Sequence, residues 1–197
     1  MSNTTYPPMQ NYTEGDILLT LKLLQTKQIG RKNLSKVLHL GEATIRTLFR
    51  KLESENLITS THQGQKITEK GIQYLTSFPQ FTLPKPVNVG GLTLSEYNIA
   101  SLVHNYSHNV KDGLKFRDAA IIAGACGATT LIFSGGKLTF PHSKTVLTPE
   151  TANYLVTEFS PSEGDILIIA TADTNQKAVR GLSGCLSLLL QNNNEKL

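Results

Sequence analysis

The stretch LGEATIRTLFRKLESENLI, residues 40–58, carries the most structural information in the chain. Wound as an α-helix from Glu42, it puts Ile45, Leu48, Phe49 and Leu52 on one face and Ala43, Thr44, Arg46, Thr47, Arg50 and Lys51 on the other. One face is built for burial; the other offers short polar side chains and three cations to an outside partner. Just upstream, Gly41 marks a tight turn, and RKNLSKVLHL at 31–40 predicts a short helix with Leu34, Val37 and Leu38 facing inward. Further back, Thr13 followed three residues later by Asp16 is a variant capping box. Ile17, Leu18, Leu21 and Leu24 then recur at helical spacing, which predicts a helix over about 14–25. Downstream, LITST and KIT predict two strands around a turn at Gly64, and Thr68 N-caps a last helix in TEKGIQYL.

Three helices, the second and third joined by a glycine turn, followed by a hairpin, make the winged helix-turn-helix order. On LGEATIRTLFRKLESENLI and the TEKG at 68–71, residues 12–78 resemble winged-helix transcriptional regulators of the MarR, PadR and ArsR kind. The resemblance implies that the 42–55 helix enters the major groove of double-stranded DNA and that the hairpin lies along the backbone or minor groove. Thr44 and Thr47, toward the helix N-terminus, suit base edges or a thymine methyl. Arg46 and Arg50, spaced i, i+4, share one side, so one can read guanine while the other, with Lys51 beside it, holds phosphate. Arg31 and Lys32 open the second helix, where cations and free N–H groups meet a phosphate together. His62, Gln63, Gln65 and Lys66 surround Gly64 in a tip suited to backbone contact. The alternative makes Arg46 and Arg50 solvated partners of Glu42 and Glu53. Glu42 opposes phosphate unless it caps its own helix.

Charge points the same way. The 197 residues carry a formal net charge of +4. Residues 1–80 hold 10 basic and 6 acidic side chains and the remainder 9 of each, so the whole excess lies in the first part. The longest apolar runs, such as ILIIA at 166–170, are too short to span a membrane, and the polar start MSNTTYPPMQNY lacks signal-peptide regions, so a cytoplasmic protein is expected. Cys126 and Cys185 lack disulfide-framework or metal spacing and are expected as small buried hydrophobes.

The segment 79–91, rich in proline and ending in Gly90–Gly91, predicts a semi-rigid linker between a first domain, 1–78, and a second, 92–197. In the second, a strand is expected within LTLSEYNIASLVHN and a helix over about 114–126. A hairpin through TTLIF, SGGK and LTF follows, then a helix opened by Thr148 and Pro149, the buried strand DILIIATA, and a long helix capped by Asp173 or Thr174. The tail QNNNEKL is expected to fray. The fold class is therefore two-domain α+β / α/β, with about four strands and three helices in the second domain. Ala119, Ala120, Ala123, Gly124 and Gly127 on one helix, and Ala178, Gly181, Gly184 and Cys185 on another, allow close backbone approach to a sheet, a helix or a second subunit. VHNYSHNVKDGLKFRDAAIIAGACGATTLIFSGGKLTFP at 103–141 and EGDILIIATAD at 163–173 resemble an uncharacterised archaeal domain associated with winged-helix regulators.

The expected function is DNA-binding transcriptional regulation, with the second domain sensing a small molecule or forming a homodimer over two half-sites. Candidate effector residues are His104 and His108, spaced i, i+4; Lys115, Arg117 and Asp118 near a helix start; and Asp173 at the carboxyl end of a buried strand. The two histidines have no third ligand nearby in sequence, so no metal is expected. SGGK lacks a phosphate-loop context, and no nucleophile-elbow or dinucleotide motif occurs, so no cofactor and no catalytic residue are expected. Two rival classes remain: an enzyme in which Asp118, Asp173 and His104 or His108 converge in a cleft, and a winged helix that binds protein.

Overall fold

The computed structural model describes residues 11–143 and 145–191. Its first part runs α1 (Glu14–Thr26), α2 (Arg31–Leu38), α3 (Glu42–Ser54), β1 (Ile58–Thr61), β2 (Gly64–Ile67) and α4 (Glu69–Thr76), the winged-helix order. Local signals set its bounds. The Thr13 hydroxyl accepts from Asp16 N while Asp16 accepts from Thr13 N at 2.6 Å, and Thr68 accepts from Gly71 N. Ile45, Leu48 and Leu52 have no solvent exposure. Gly64 is not the centre of the hairpin turn, which is His62–Gln63. It starts β2 at φ 127°, where a Cβ would lie 2.7 Å from Gly30 N, and so lets the hairpin bridge back from Gln65 to Ile29. Val37, expected inward, is 48% exposed. Leu34 and Leu38 take the core face of this short helix and turn Val37 off it.

The second part contains β3 (Lys85–Pro86), β4 (Tyr97–Val103), α5 (Leu114–Ile122), β5 (Gly127–Ser134), β6 (Lys137–Thr139), α6 (Pro149–Phe159), β7 (Ile166–Ala172) and α7 (Asn175–Gln191). The sheet has five strands rather than four, in the order β3-β4-β7-β5-β6, and every pairing is antiparallel. The additional strand comes from the connecting segment. Phe81 bridges to Val103, Thr82 N donates to Leu102 O at 2.9 Å, and Lys85–Pro86 pairs with Ala100 and Ile99. A proline strand is tolerated there because the edge has an unpaired side. The central strand β7 is buried throughout and alternates its faces. Ile166, Ile168 and Ala170 join the core with α7 and the N-terminal helices, while Leu167 and Ile169 join the one under α6 with Leu155 and Phe159. The first of these cores runs without a break into Ile17, Leu34, Ile45 and Leu48.

Helix α5 stops at Ile122, four residues short of expectation. Gly124 at φ 98° ends it in a Schellman motif, with Ala125 N donating to Ala120 O and Gly124 N to Ile121 O. Gly124 and Gly127 are therefore off the helix, and Gly127 opens β5. The small residues that do remain on helices serve packing within the chain. A Cβ at Gly184 would lie 2.6 Å from Ala119 O, and one at Gly181 would collide with the Ala125 methyl. Of the two capping candidates for α7, Thr174 is the one engaged, its Oγ1 accepting from Lys177 N at 3.3 Å. The polar tail after Gln191 lies outside the described residues.

Helix α1 is buried on both sides, against its own helical domain and against α7. Gly15 leaves no space for a side chain beside the Ser183 carbonyl. Asp16, fully buried, accepts from Arg180 Nη1 at 2.6 and 2.7 Å, from Ser183 Oγ at 2.6 Å and from Thr13 N. Removing one partner of such a pair strands a buried charge, so Arg180→Ala should lower the unfolding free energy by about 3 kcal/mol, read as a shifted urea midpoint. An unchanged midpoint would show that solvent, not Arg180, satisfies Asp16.

Candidate nucleic-acid interface

The outward face of α3 and the hairpin enclose a groove of about 300 Å³. Arg31, Arg46, Arg50 and Gln65 line it, with Phe49 at its base and Glu53 on one wall. Its shape comes from a polar chain across the gap: Gln65 Nε2 donates to Ser60 Oγ, which donates to Glu53 Oε1, both at 2.8 Å. Thr61 Oγ1 donates to Gln28 Oε1 at 2.8 Å and anchors the other end of β1. These contacts run between different elements, so the helical and strand periodicities carried no sign of Ser60, Thr61 or Gln28.

The charges sort themselves. Arg31 Nε donates to Glu42 Oε2 at 3.0 Å, which neutralises the carboxylate opposed to phosphate; Glu42 does not cap its helix. Glu53 is engaged by Ser60. Among the described residues, Arg46 and Arg50 have no carboxylate within 4.0 Å, so the alternative in which Glu42 and Glu53 hold them is not met. Both side chains are exposed, as are Lys32 and Thr47, whose Oγ1 donates to Ala43 O at 3.2 Å; Thr44 and Lys51 are half-buried. His62 and Gln63 form the exposed hairpin tip and Lys66 lies on β2.

The candidate effector residues are dispersed. His104 and His108 share no helix. His104 follows β4, its Nδ1 3.0 Å from Asp165 Oδ2, and His108 sits in a 3-10 turn with Nε2 2.9 Å from Asn109 Nδ2. Buried Asp165, which the sequence reading did not single out, also accepts from Asn105 N and Ser162 N and so ties two loops at one end of the sheet. Asp173 lies at the other end. Tyr97 pairs with Ala172 and Val103 with Ile166, so these two pairs stand six strand steps of about 3.4 Å, or about 20 Å, apart, and His104 and Asp173 lie beyond them at opposite ends. Those two residues do not converge. Asp173 is exposed and accepts from Lys177 Nζ at 2.8 Å, a hydrogen bond that holds its carboxyl below the ordinary carboxylate range and raises the Lys177 ammonium. Arg117 pairs with its neighbour Asp118 at 2.9 Å, both exposed, while Asp112 serves the α5 N-terminus by accepting from Leu114 N. Lys115 and Asp118 border a shallow cleft of about 490 Å³ between α5 and α7. Among the described residues no three His, Cys, Asp or Glu side chains group as a metal site. No described helix is long and apolar enough to cross a membrane.

The architecture is that of a winged helix joined to an antiparallel α+β domain. Residues 13–73 match the family described as "PH0730-like, N-terminal domain", and residues 94–189 match "Domain of unknown function (DUF4443)". Among solved structures the chain is similar to "Hypothetical protein PH0730 from Pyrococcus horikoshii OT3", with 29% identity, a TM-score of 0.70, and coverage of 92% of this chain and 95% of that one. No curated protein matches. The likeness covers both halves and is to uncharacterised, archaeal-like domains.

The cysteines differ in environment. Cys126, expected buried, is exposed because the Schellman turn brings it out of the helix, while Cys185 is enclosed and burial pushes its thiol up to about 12. A thiol reagent at pH 8 should therefore titrate one thiol in the native protein and two after denaturation. Two fast-reacting native thiols would contradict the enclosure of Cys185.

Proposed function

We propose that this chain is a DNA-binding regulator that uses α3 and the β1–β2 hairpin against duplex DNA, with the sheet domain as its regulatory or self-associating half. The observation that carries the reading is the groove between α3 and the hairpin. Three arginines line it, and two of them, Arg46 and Arg50, have no acidic partner among the described residues. Uncompensated cations on an exposed helix face are what phosphate neutralisation requires, and the charge excess confined to residues 1–80 agrees. The Arg31–Glu42 pair keeps Glu42 from opposing the backbone. Thr44 and Thr47 supply the short side chains that fit against bases once the helix is in the groove.

The test is fluorescence anisotropy of the full chain on random duplex DNA at two salt concentrations. Binding should weaken steeply with salt, and an Arg46, Arg50, Lys51 triple-alanine variant should lose about 1–3 kcal/mol for the base-reading arginine and, with the phosphate contacts gone, show a shallower salt slope. Undiminished affinity in that folded variant would remove α3 as the reader. Absence of DNA binding, together with salt-independent capture of a protein, would favour the protein-binding alternative.

A further inference from the structure

A second cavity, of about 300 Å³, lies where the two domains meet, apart from both the DNA-facing groove and the residues singled out for an effector. Its walls are Leu19 and Leu23 of α1, Val37 of α2, Leu83 and Pro84 of the connecting segment, and Val179 of α7. Among the described residues no side chain covers Val37, which is 48% exposed. A volume near 300 Å³, largely apolar and open at one side, is at the small end of the range for small-molecule sites.

The rim carries one ammonium and no carboxylate. Lys36 and His39 are the titratable residues in the lining, which contains no Asp or Glu, and among the described residues Lys36 has no carboxylate within 4.0 Å. His39 is fixed in place. It ends α2 at φ 51°, and its Nε2 lies 3.1 Å from the side-chain amide of Asn175, the first residue of α7. With that amide donating, the ring proton sits on Nδ1 and is available as a donor. Of the C-terminal carbonyls of α2, which by themselves disfavour an anion, Ser35 O is engaged, accepting from His39 N and Leu40 N. An apolar pocket with an unpaired ammonium, an oriented imidazole and no acid is complementary to an apolar molecule that carries one negative charge.

We infer that this junction cavity binds a small carboxylate with an aryl or short alkyl body, the body lying against Leu19, Leu23 and Val179 and the carboxylate between Lys36 and His39. Such a ligand touches α2, which packs under α3, and also α7 and the sheet edge, so it stabilises the junction by mass action. The site does not depend on the DNA reading, and its test involves no DNA.

The full chain is titrated calorimetrically with 4-phenylbutyrate and with octanoate, and 4-phenylbutylamine serves as the cationic counterpart; thermal unfolding is followed in parallel. Saturable binding of at least one carboxylate is expected, with a raised thermal midpoint and at least about tenfold weaker binding of the amine. Lys36→Glu and Val37→Trp, both at exposed positions and so compatible with folding, should each weaken the carboxylate by about tenfold or more, the first by reversing the charge and the second by filling the cavity. The inference is overturned if neither carboxylate binds, if the amine binds as well as the acid, or if both variants, shown folded by circular dichroism, bind as the parent does.

Discussion

A carboxylate cut off from solvent must be neutralised where it lies, and Asp16 is neutralised from the far end of the chain. Its partners, Arg180 and Ser183, stand on the last helix, while Thr13 and Asp16 itself cap the first. The cost of burying an unpaired charge exceeds any single contact around it, so α1 and α7 are held in one register. Gly15 then allows the two backbones to meet at the Ser183 carbonyl. Everything else in the molecule is arranged around that crossing.

Because α1 is shared, the helical domain and the sheet domain do not behave as beads on a string. One apolar core runs from Ile45 and Leu48 through α1 to α7 and the inner face of β7. The connecting segment adds to this by lying along β4, with Phe81 buried and the Lys22 ammonium 5.7 Å from the centre of its ring. Burial on this side holds the Lys22 amine below its ordinary range. The orientation of α3 and the hairpin is therefore fixed relative to the sheet, and the junction cavity beside α2 lies where any change in that orientation is felt.

Much of the helical half was legible because its signals are local. The Thr13/Asp16 box, Thr68 and the Ile45–Leu48–Leu52 face each set an element within a few residues of itself, and Thr148–Pro149 did the same for α6. What escaped was non-local or two-valued. Asp16 was readable as a capping residue, but nothing within a few residues of it announces Arg180. The proline-rich connection read as a spacer because strand pairing with β4 is decided across the fold. Helix α5 ran too long on paper because its small apolar residues continue past Gly124, although that glycine is the stop signal. The two histidines at i, i+4 matched a helical template that a turn after β4 interrupts. The groove residues on α3 were legible from periodicity; the Gln65–Ser60–Glu53 chain that shapes the groove joins residues no periodicity relates.

The central claim is that the two domains form one cooperative unit through the α1–α7 crossing, and native-state hydrogen exchange in low denaturant tests it most directly. The account predicts that amides of α1, α7 and β7 exchange through the same opening, with equal free energies and equal denaturant dependence. Exchange of α1 through α4 at a distinctly lower free energy, with β7 and α7 still protected, would contradict it and return the winged helix to the status of an independently folding domain.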